Sequence, residues 1–150
     1  MAFELIPMTR DHVLDVFPRR RGEARQFTLH DTLMLTMHAQ QNGVAYTAID
    51  GDLVIAIGGV YLSHPGVGNT WIVGTDDIKG HSKDFTIAMR KVIPVVMKEM
   101  QLHRIQADVI TSRPDWIKWT KYLGFKEEGI LRKFRGEEDA MVLSIIEEDL

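Results

Sequence analysis

The sequence predicts a single α/β (or α+β) domain over residues 1–150, built on a mixed, mostly antiparallel sheet with helices on both faces. Three observations carry this prediction. Strand-like and helical segments follow one another in the order β α α β β β α β α β β. Gly-containing turns separate the three middle strands, which makes them an antiparallel meander. A long helical segment then joins the third of these strands to a further strand, and such a crossover makes those two strands parallel.

Length and composition agree with a globular protein and exclude several classes. A chain of 150 residues is long enough for one core and too short for two ordinary domains. It has no cysteine, which excludes disulfides, thiolate metal sites and a cysteine nucleophile. The net charge of −3 gives no general attraction for nucleic acid, and no apolar run is long enough for a membrane span. We therefore expect a soluble, cytoplasmic protein without nucleic-acid or membrane partners.

The first elements are a short strand and two helices. Phe3–Ile6 is strand-like and ends at Pro7, and a helix is predicted from Thr9 to Phe17. A loop with three arginines follows, and a second helix is predicted from Thr28 to Asn42.

The meander is predicted over residues 44–49, 53–62 and 70–73. Asp50-Gly51 is the strongest hairpin signal in the chain. Gly58-Gly59 indicates a bulge or a close approach of backbones. The second turn is predicted to extend from Pro65 to Asn69.

A Gly-containing loop over residues 74–81 is predicted to lead into a helix over residues 85–100, with Ser82 as its N-cap. Pro94 lies inside this helix and should kink or split it near Val92. We expect the strands before and after the helix to splay apart at their C-terminal ends, leaving a V-shaped opening.

The last third of the chain reads as a strand (104–110), a helix that Gly124 terminates (113–122) and an antiparallel pair (126–134 and 140–146). The segment Tyr122–Arg132 contains Leu-Gly-Phe after the helix and then a Gly-x-x-Arg spacing, and Asp139 precedes the last strand. With the element order, these features resemble the GCN5-related N-acetyltransferase (GNAT) family. Within it, Trp71–Thr75 and Trp116–Trp119 are similar to acetyltransferase-like proteins of tailed phages, some of which are internal virion proteins.

The resemblance implies an acetyltransferase that moves an acetyl group from acetyl-CoA, its co-substrate, to an amine of a small molecule or a protein. A glycine-containing loop before a helix can bind the coenzyme pyrophosphate through backbone N–H groups. Backbone N–H groups at the end of the fourth strand would polarise the thioester. The residues implied for the coenzyme are Ile72, Val73, Gly74, Lys79, Gly80, His81, Ser82, Lys83 and Arg113. The catalytic candidates are Asp76, His81, Thr120 and Tyr122.

Three positions depart from the family pattern. Asp77 stands where the loop has arginine or glutamine, and an acid there repels phosphate unless its side chain points away. Thr120 stands at the position of a tyrosine acid, and Arg113 at that of an asparagine. Asp76 is either a catalytic base or a solvated loop acid, and the sequence leaves both interpretations open. His81 either contacts phosphate or substrate or is an exposed loop histidine without a role.

Other chemically active side chains have plainer interpretations. The run Arg19–Arg21 either recognises an acidic partner or is a solvated loop. His30 and His38 lie on one helical face without a third ligand, so no metal site is expected. Trp116 and Trp119 are predicted to pack on the sheet, and Tyr122 to pack rather than act as an acid.

Two function classes follow: an N-acetyltransferase, or a non-catalytic GNAT-fold protein that binds a partner or forms part of a virion. Gly80 and the element order favour the first, and the altered Asp77 and Thr120 favour the second. A phage origin would place the protein in the host cytoplasm or the virion. The sequence leaves a homodimer open.

Overall fold

The computed structural model describes residues 3–150, apart from the side chain of Glu23, and it confirms the predicted element order. The strands are β1 (Phe3–Pro7), β2 (Gly43–Asp50), β3 (Leu53–His64), β4 (Val67–Gly74), β5 (Arg104–Ile110), β6 (Lys126–Arg135) and β7 (Glu138–Ile146). The α-helices are α1 (Arg10–Val16), α2 (Leu29–Gln41), α3 (Ser82–Glu99) and α4 (Pro114–Tyr122). Short 3₁₀ helices cover Phe17–Arg19, Gly22–Gln26, Asp76–His81 and Glu147–Asp149. No helix within the described residues is long and apolar enough to cross a membrane.

The strands form one mixed sheet in the order β1-β2-β3-β4-β5-β7-β6. β2 pairs antiparallel with β1 and β3, and β7 pairs antiparallel with β5 and β6. β4 and β5 are parallel, with residue pairs from Val67–Arg104 to Asn69–Gln106. The predicted mixed, mostly antiparallel sheet with one parallel pair is therefore confirmed. That these two strands splay apart beyond Asn69 and Gln106 stays a prediction.

The described residues form two compact units. The first unit contains the chain up to Tyr61 together with Trp71–Val92. Its core packs α1 against the early strands through buried apolar side chains, and Trp71 and Val73 of β4 pack against that core while remaining partly buried. The buried side chains of this core are Met8, Val13, Val16, Ala45, Val54 and Ile57.

The second unit contains Leu62–Thr70 and the chain from Ile93 onward. Its core lies on β5 and β7, where Ile105 and Leu143 are fully buried. Gly124 has φ +109° and ends α4, as the sequence predicts, because glycine adopts this left-handed conformation without strain.

The glycines of the meander behave partly as predicted. A hairpin joins β2 to β3 at Gly51, which has φ +61°. Gly58 and Gly59 mark a close backbone approach, because a Cβ at Gly59 would fall on the carbonyl of Val44. No bulge falls at these positions in the pairing with β2, where the register shifts at Ala48/Ile49 instead.

In the middle of the chain, one prediction is wrong and one alternative of another is excluded. Gly68 and Asn69 belong to β4 and not to a turn, because they pair with Ile105 and Gln106 of β5. Pro94 does not split α3, which is continuous from Ser82 to Glu99, and a kink near Val92 stays a prediction. Proline removes one helical hydrogen bond, but Val96 and Met97 beyond it are buried, and this packing holds the helix together.

Candidate functional site

The segment between β4 and α3 is helical, which corrects the predicted loop over residues 74–81. A 3₁₀ helix over Asp76–His81 leads directly into α3. Ser82 has helical backbone angles (φ −59°, ψ −37°), so it lies within the helical run and is not the predicted N-cap. Thr75 caps the run instead: its backbone is extended, and its hydroxyl oxygen accepts a hydrogen bond from the Asp77 N–H at 3.2 Å.

Thr75 also ties this segment to β3. Its side chain is 1% exposed, and its hydroxyl donates to the Ile55 carbonyl at 2.8 Å. The Thr75 N–H donates to the same carbonyl at 3.2 Å. The start of the helical run is therefore fixed to the sheet by one buried residue.

The end of β4 supplies the three predicted backbone positions. Ile72 is 36% exposed, Val73 is partly buried against the core of the first unit, and Gly74 is buried. A Cβ at Gly74 would meet the end of the Ile78 side chain, so the 3₁₀ helix packs closely against the strand end through Ile78.

The arginine run lies against this segment. Arg19 Nη1 donates to Asp77 Oδ2 at 3.1 Å, and Arg21 Nη1 lies 3.7 Å from Asp76 Oδ1. The Arg21 N–H donates to the Gly74 carbonyl, so backbone contacts accompany the ion pairs. Asp77 is thus a paired acid, whereas the Asp76 side chain is 86% exposed. These pairs were not predicted from the sequence, although a run of arginines and two consecutive acids suggest complementary partners.

Arg20 has a different, structural role. Its guanidinium lies 3.8 Å from the centre of the Phe17 ring. It also donates to the main-chain carbonyl of Phe17 and to three carbonyls of the following connection, those of Ala24, Arg25 and Phe27. The prediction that Arg19–Arg21 is a solvated loop is therefore wrong, because each of its three guanidiniums has a partner within the protein.

His81 is anchored at both ring nitrogens. Its Nδ1–H donates to the Asp77 carbonyl at 2.8 Å, and its Nε2 lies 3.0 Å from Asp50 Oδ2. The side chains of His81 and Asp50 are only 19% and 21% exposed. The interpretation of His81 as an exposed loop histidine without a role is therefore wrong. The hydrogen bond to the Asp77 carbonyl and then that to Asp50 raise the pKa of His81, because only the imidazolium donates at both nitrogens.

The remaining residues of the predicted pyrophosphate segment face solvent. Lys79, Gly80, Ser82 and Lys83 are all exposed. A Cβ built at Gly80 meets no atom within 4 Å. Neither lysine makes an ion pair within residues 3–150. The segment therefore presents two unpaired cations on either side of an open glycine.

Three predicted site residues lie in the second unit. Thr120 is 5% exposed, and its hydroxyl donates to the Trp116 carbonyl at 2.8 Å within α4. Tyr122 is 62% exposed, so the prediction that it packs is wrong. The guanidinium of Arg113 lies 5.5 Å from the Trp116 ring centre, just before α4 begins.

The predicted aromatic and histidine pairs lie on α4 and α2. Trp116 and Trp119 contact each other edge to face, with ring centres 5.5 Å apart, and both are partly buried. His30 and His38 are exposed on α2. Among the described residues, no cluster of three or more histidine, aspartate and glutamate side chains is placed to hold a metal ion.

Comparison with solved structures identifies the fold. A spermidine N-acetyltransferase SpeG chimera from Vibrio cholerae and hSSAT has 15% sequence identity and a TM-score of 0.78, with 99% of this chain and 97% of that chain covered. The ribosomal-protein-S18-alanine N-acetyltransferase from Escherichia coli has 12% identity and a TM-score of 0.78, with 97% and 94% covered. The ribosomal-protein-S5-alanine acetyltransferase from Vibrio fischeri has 16% identity and a TM-score of 0.74, with 99% and 95% covered. No family model and no curated protein sequence matches the chain. The chain therefore has the fold of the GNAT acetyltransferases.

Proposed function

We propose that the chain is one acyltransferase domain that transfers an acetyl group from acetyl-CoA to an amine. Its structural neighbours support this class, since those compared above are named for acetylation of spermidine or of ribosomal-protein alanine. Both kinds of acceptor are amines, one on a small molecule and one on a protein. The acceptor of this chain belongs to the same chemical class. Its resemblance to tailed-phage proteins supports a phage origin.

The observation that carries the proposal is the open surface at Gly80. The resemblance assigns this glycine to the pyrophosphate segment, and nothing within 4 Å occupies the position of its missing side chain. Lys79 and Lys83 flank it with two exposed positive charges. A diphosphate placed there receives attraction from both ammonium groups.

The chemistry needs few protein groups. The amine nitrogen attacks the thioester carbonyl carbon, a C–N bond forms, and the C–S bond breaks with its electron pair going to sulfur. Backbone N–H groups from Ile72 to Gly74 are the proposed donors to the carbonyl oxygen, because β4 ends there. The Thr120 hydroxyl already donates to Trp116, so solvent takes the amine proton and protonates the thiolate. A thiol pKa of about 8.5 makes the thiolate an adequate leaving group.

The proposal is tested by calorimetric titration of coenzyme A into the wild type and Gly80→Val. We expect the wild type to bind and Gly80→Val to lose binding, because the new side chain occupies the space that the diphosphate needs. Gly129→Val is the matched control, since Gly129 is also exposed with open space at its Cβ but lies on β6. Circular dichroism should show all three proteins folded.

Turnover is measured as thiol release from acetyl-CoA with spermidine and with a peptide that has an N-terminal alanine. Release with either acceptor supports the enzyme. A wild type that gives no heat with millimolar coenzyme A contradicts the proposal and favours a non-catalytic protein that retains the fold.

A further inference from the structure

Asp77 is the residue that fits coenzyme binding least well, and its environment differs from that of an ordinary loop acid. It stands where the resembled loop has arginine or glutamine. Its carboxylate is 44% exposed and accepts a hydrogen bond from Arg19 Nη1 at 3.1 Å. Arg19 comes from the 3₁₀ turn after α1, 58 residues earlier in the chain. Arg19 therefore places a guanidinium from another element beside Asp77, the position at which the resembled loop has its own donor.

Arg19 is held firmly enough to act as a fixed charge. Its Nη2 donates to the Val54 carbonyl at 3.0 Å and to Asp15 Oδ1 at 3.3 Å. Its side chain is 34% exposed. A guanidinium has five N–H donors, and these three bonds leave the Nε–H and one Nη1–H without a partner among the described residues.

The charge balance of the segment depends on this pairing. Asp76–Asp84 contains three aspartates and two lysines, which leaves one net negative charge. Arg19, paired with Asp77, brings this balance to zero, and Asp15 on the other nitrogen of Arg19 offsets part of this change. Without Arg19, a diphosphate would approach a segment of its own sign.

We infer that Arg19 is a coenzyme-binding residue of this chain: it neutralises Asp77 and offers its spare N–H donors to the diphosphate of coenzyme A. This inference rests on the proposed function. Under this inference, the positive charge that position 77 lacks comes from Arg19 in the connection after α1. The neighbouring pair Arg21–Asp76 is longer, at 3.7 Å, and its acid is almost fully exposed, so it is not expected to share this role.

The test is a double-mutant cycle read out as coenzyme A affinity. Arg19→Met leaves Asp77 unneutralised, so we expect affinity to fall about 10- to 100-fold, the range expected for a charged hydrogen bond. Asp77→Asn should bind at least as well as the wild type, and Arg19→Met/Asp77→Asn should regain part of the loss. Arg19→Lys, which keeps the charge, should bind within a few-fold of the wild type. Affinity for pantetheine, which has no diphosphate, should be the same in all of these variants.

The matched control is the same cycle on Arg21 and Asp76, in which we expect less than a threefold change. If the wild type binds coenzyme A and Arg19→Met binds equally well, Arg19 has no role and the proposed function stands. If Arg19→Met and Arg21→Met lose the same affinity, the effect is general surface charge and the inference is wrong. If the wild type binds no coenzyme A, the proposed function and the inference fail together.

Discussion

Replacing Thr75 with valine tests whether this residue holds the start of the helical run after β4. Valine has nearly the shape of threonine, so Thr75→Val keeps the buried volume and removes the hydroxyl. The hydroxyl makes two contacts, donating to the Ile55 carbonyl at 2.8 Å and accepting from the Asp77 N–H at 3.2 Å. Both contacts lie at a residue that is 1% exposed.

The expected loss follows from these two contacts. The bond to Ile55 contributes about 1 kcal/mol, since the carbonyl keeps its second donor, the Thr75 N–H. Loss of the cap on Asp77 costs about 1 kcal/mol more. We therefore expect the free energy of unfolding to fall by about 2 kcal/mol, which corresponds to a drop in Tm of about 4–8 °C for a chain of this size.

Urea denaturation, followed by circular dichroism and by tryptophan fluorescence, measures this change. Thr75→Ser is the matched control: it keeps the hydroxyl and loses one methyl group, which costs about 1 kcal/mol. The expected order of stability is wild type, then serine, then valine. A valine variant within about 0.5 kcal/mol of the wild type would refute the reasoning, because it would show that the hydroxyl contacts contribute far less than a typical hydrogen bond.

Two pH dependences follow from the charged contacts. The folded-state pKa of His81 is raised by the Asp77 carbonyl and Asp50, so its stabilising contribution is complete below about pH 6.5, the ordinary histidine value, and is lost as pH rises through the folded-state pKa. Urea titrations from pH 5.5 to 8.5 should show this loss in the wild type and not in His81→Gln. The pKa of Glu128 is lowered to about 2, first by the hydrogen bonds from Arg104 and then by that from Ser144, so its contribution is complete above its ordinary pKa of 4.5 and is lost as pH falls towards 2. The free energy of unfolding of Glu128→Gln should therefore depend less on pH in this range than that of the wild type. A Glu128→Gln profile identical to that of the wild type would contradict the assignment.

The fold could be predicted because its signals are local. Asp50-Gly51 required a hairpin, Gly124 required a helix end, and each lies where the sequence indicates. The beginning of β4 could not be predicted in this way. Gly68 and Asn69 have the composition of a turn, but they are extended because β5, more than 30 residues later, provides their pairing partners. Distant hydrogen bonds overrode the local preference.

The helical character of residues 76–81 was also beyond local prediction. Gly80 and two adjacent aspartates are typical of a loop, and Ser82 is a good N-cap type. The helical run begins instead after Thr75, seven residues before Ser82. The Thr75 hydroxyl accepts from the Asp77 N–H as the cap and donates to Ile55 on β3. The cap residue type was visible in the sequence, but its neighbour across the sheet was not.

The candidate site shows the same limit in its electrostatics. From the sequence, Asp77 counts against coenzyme binding and Arg19–Arg21 counts as a separate basic run. The structure pairs Arg19 with Asp77 at 3.1 Å, so the two opposite charges offset each other. A charge at one position of a motif therefore has no fixed meaning until its partner is known, because an ion pair leaves far less field at a ligand than an isolated carboxylate does. Under the proposed function, we therefore expect the acid at position 77 to be compatible with a phosphate ligand only as long as Arg19 remains beside it.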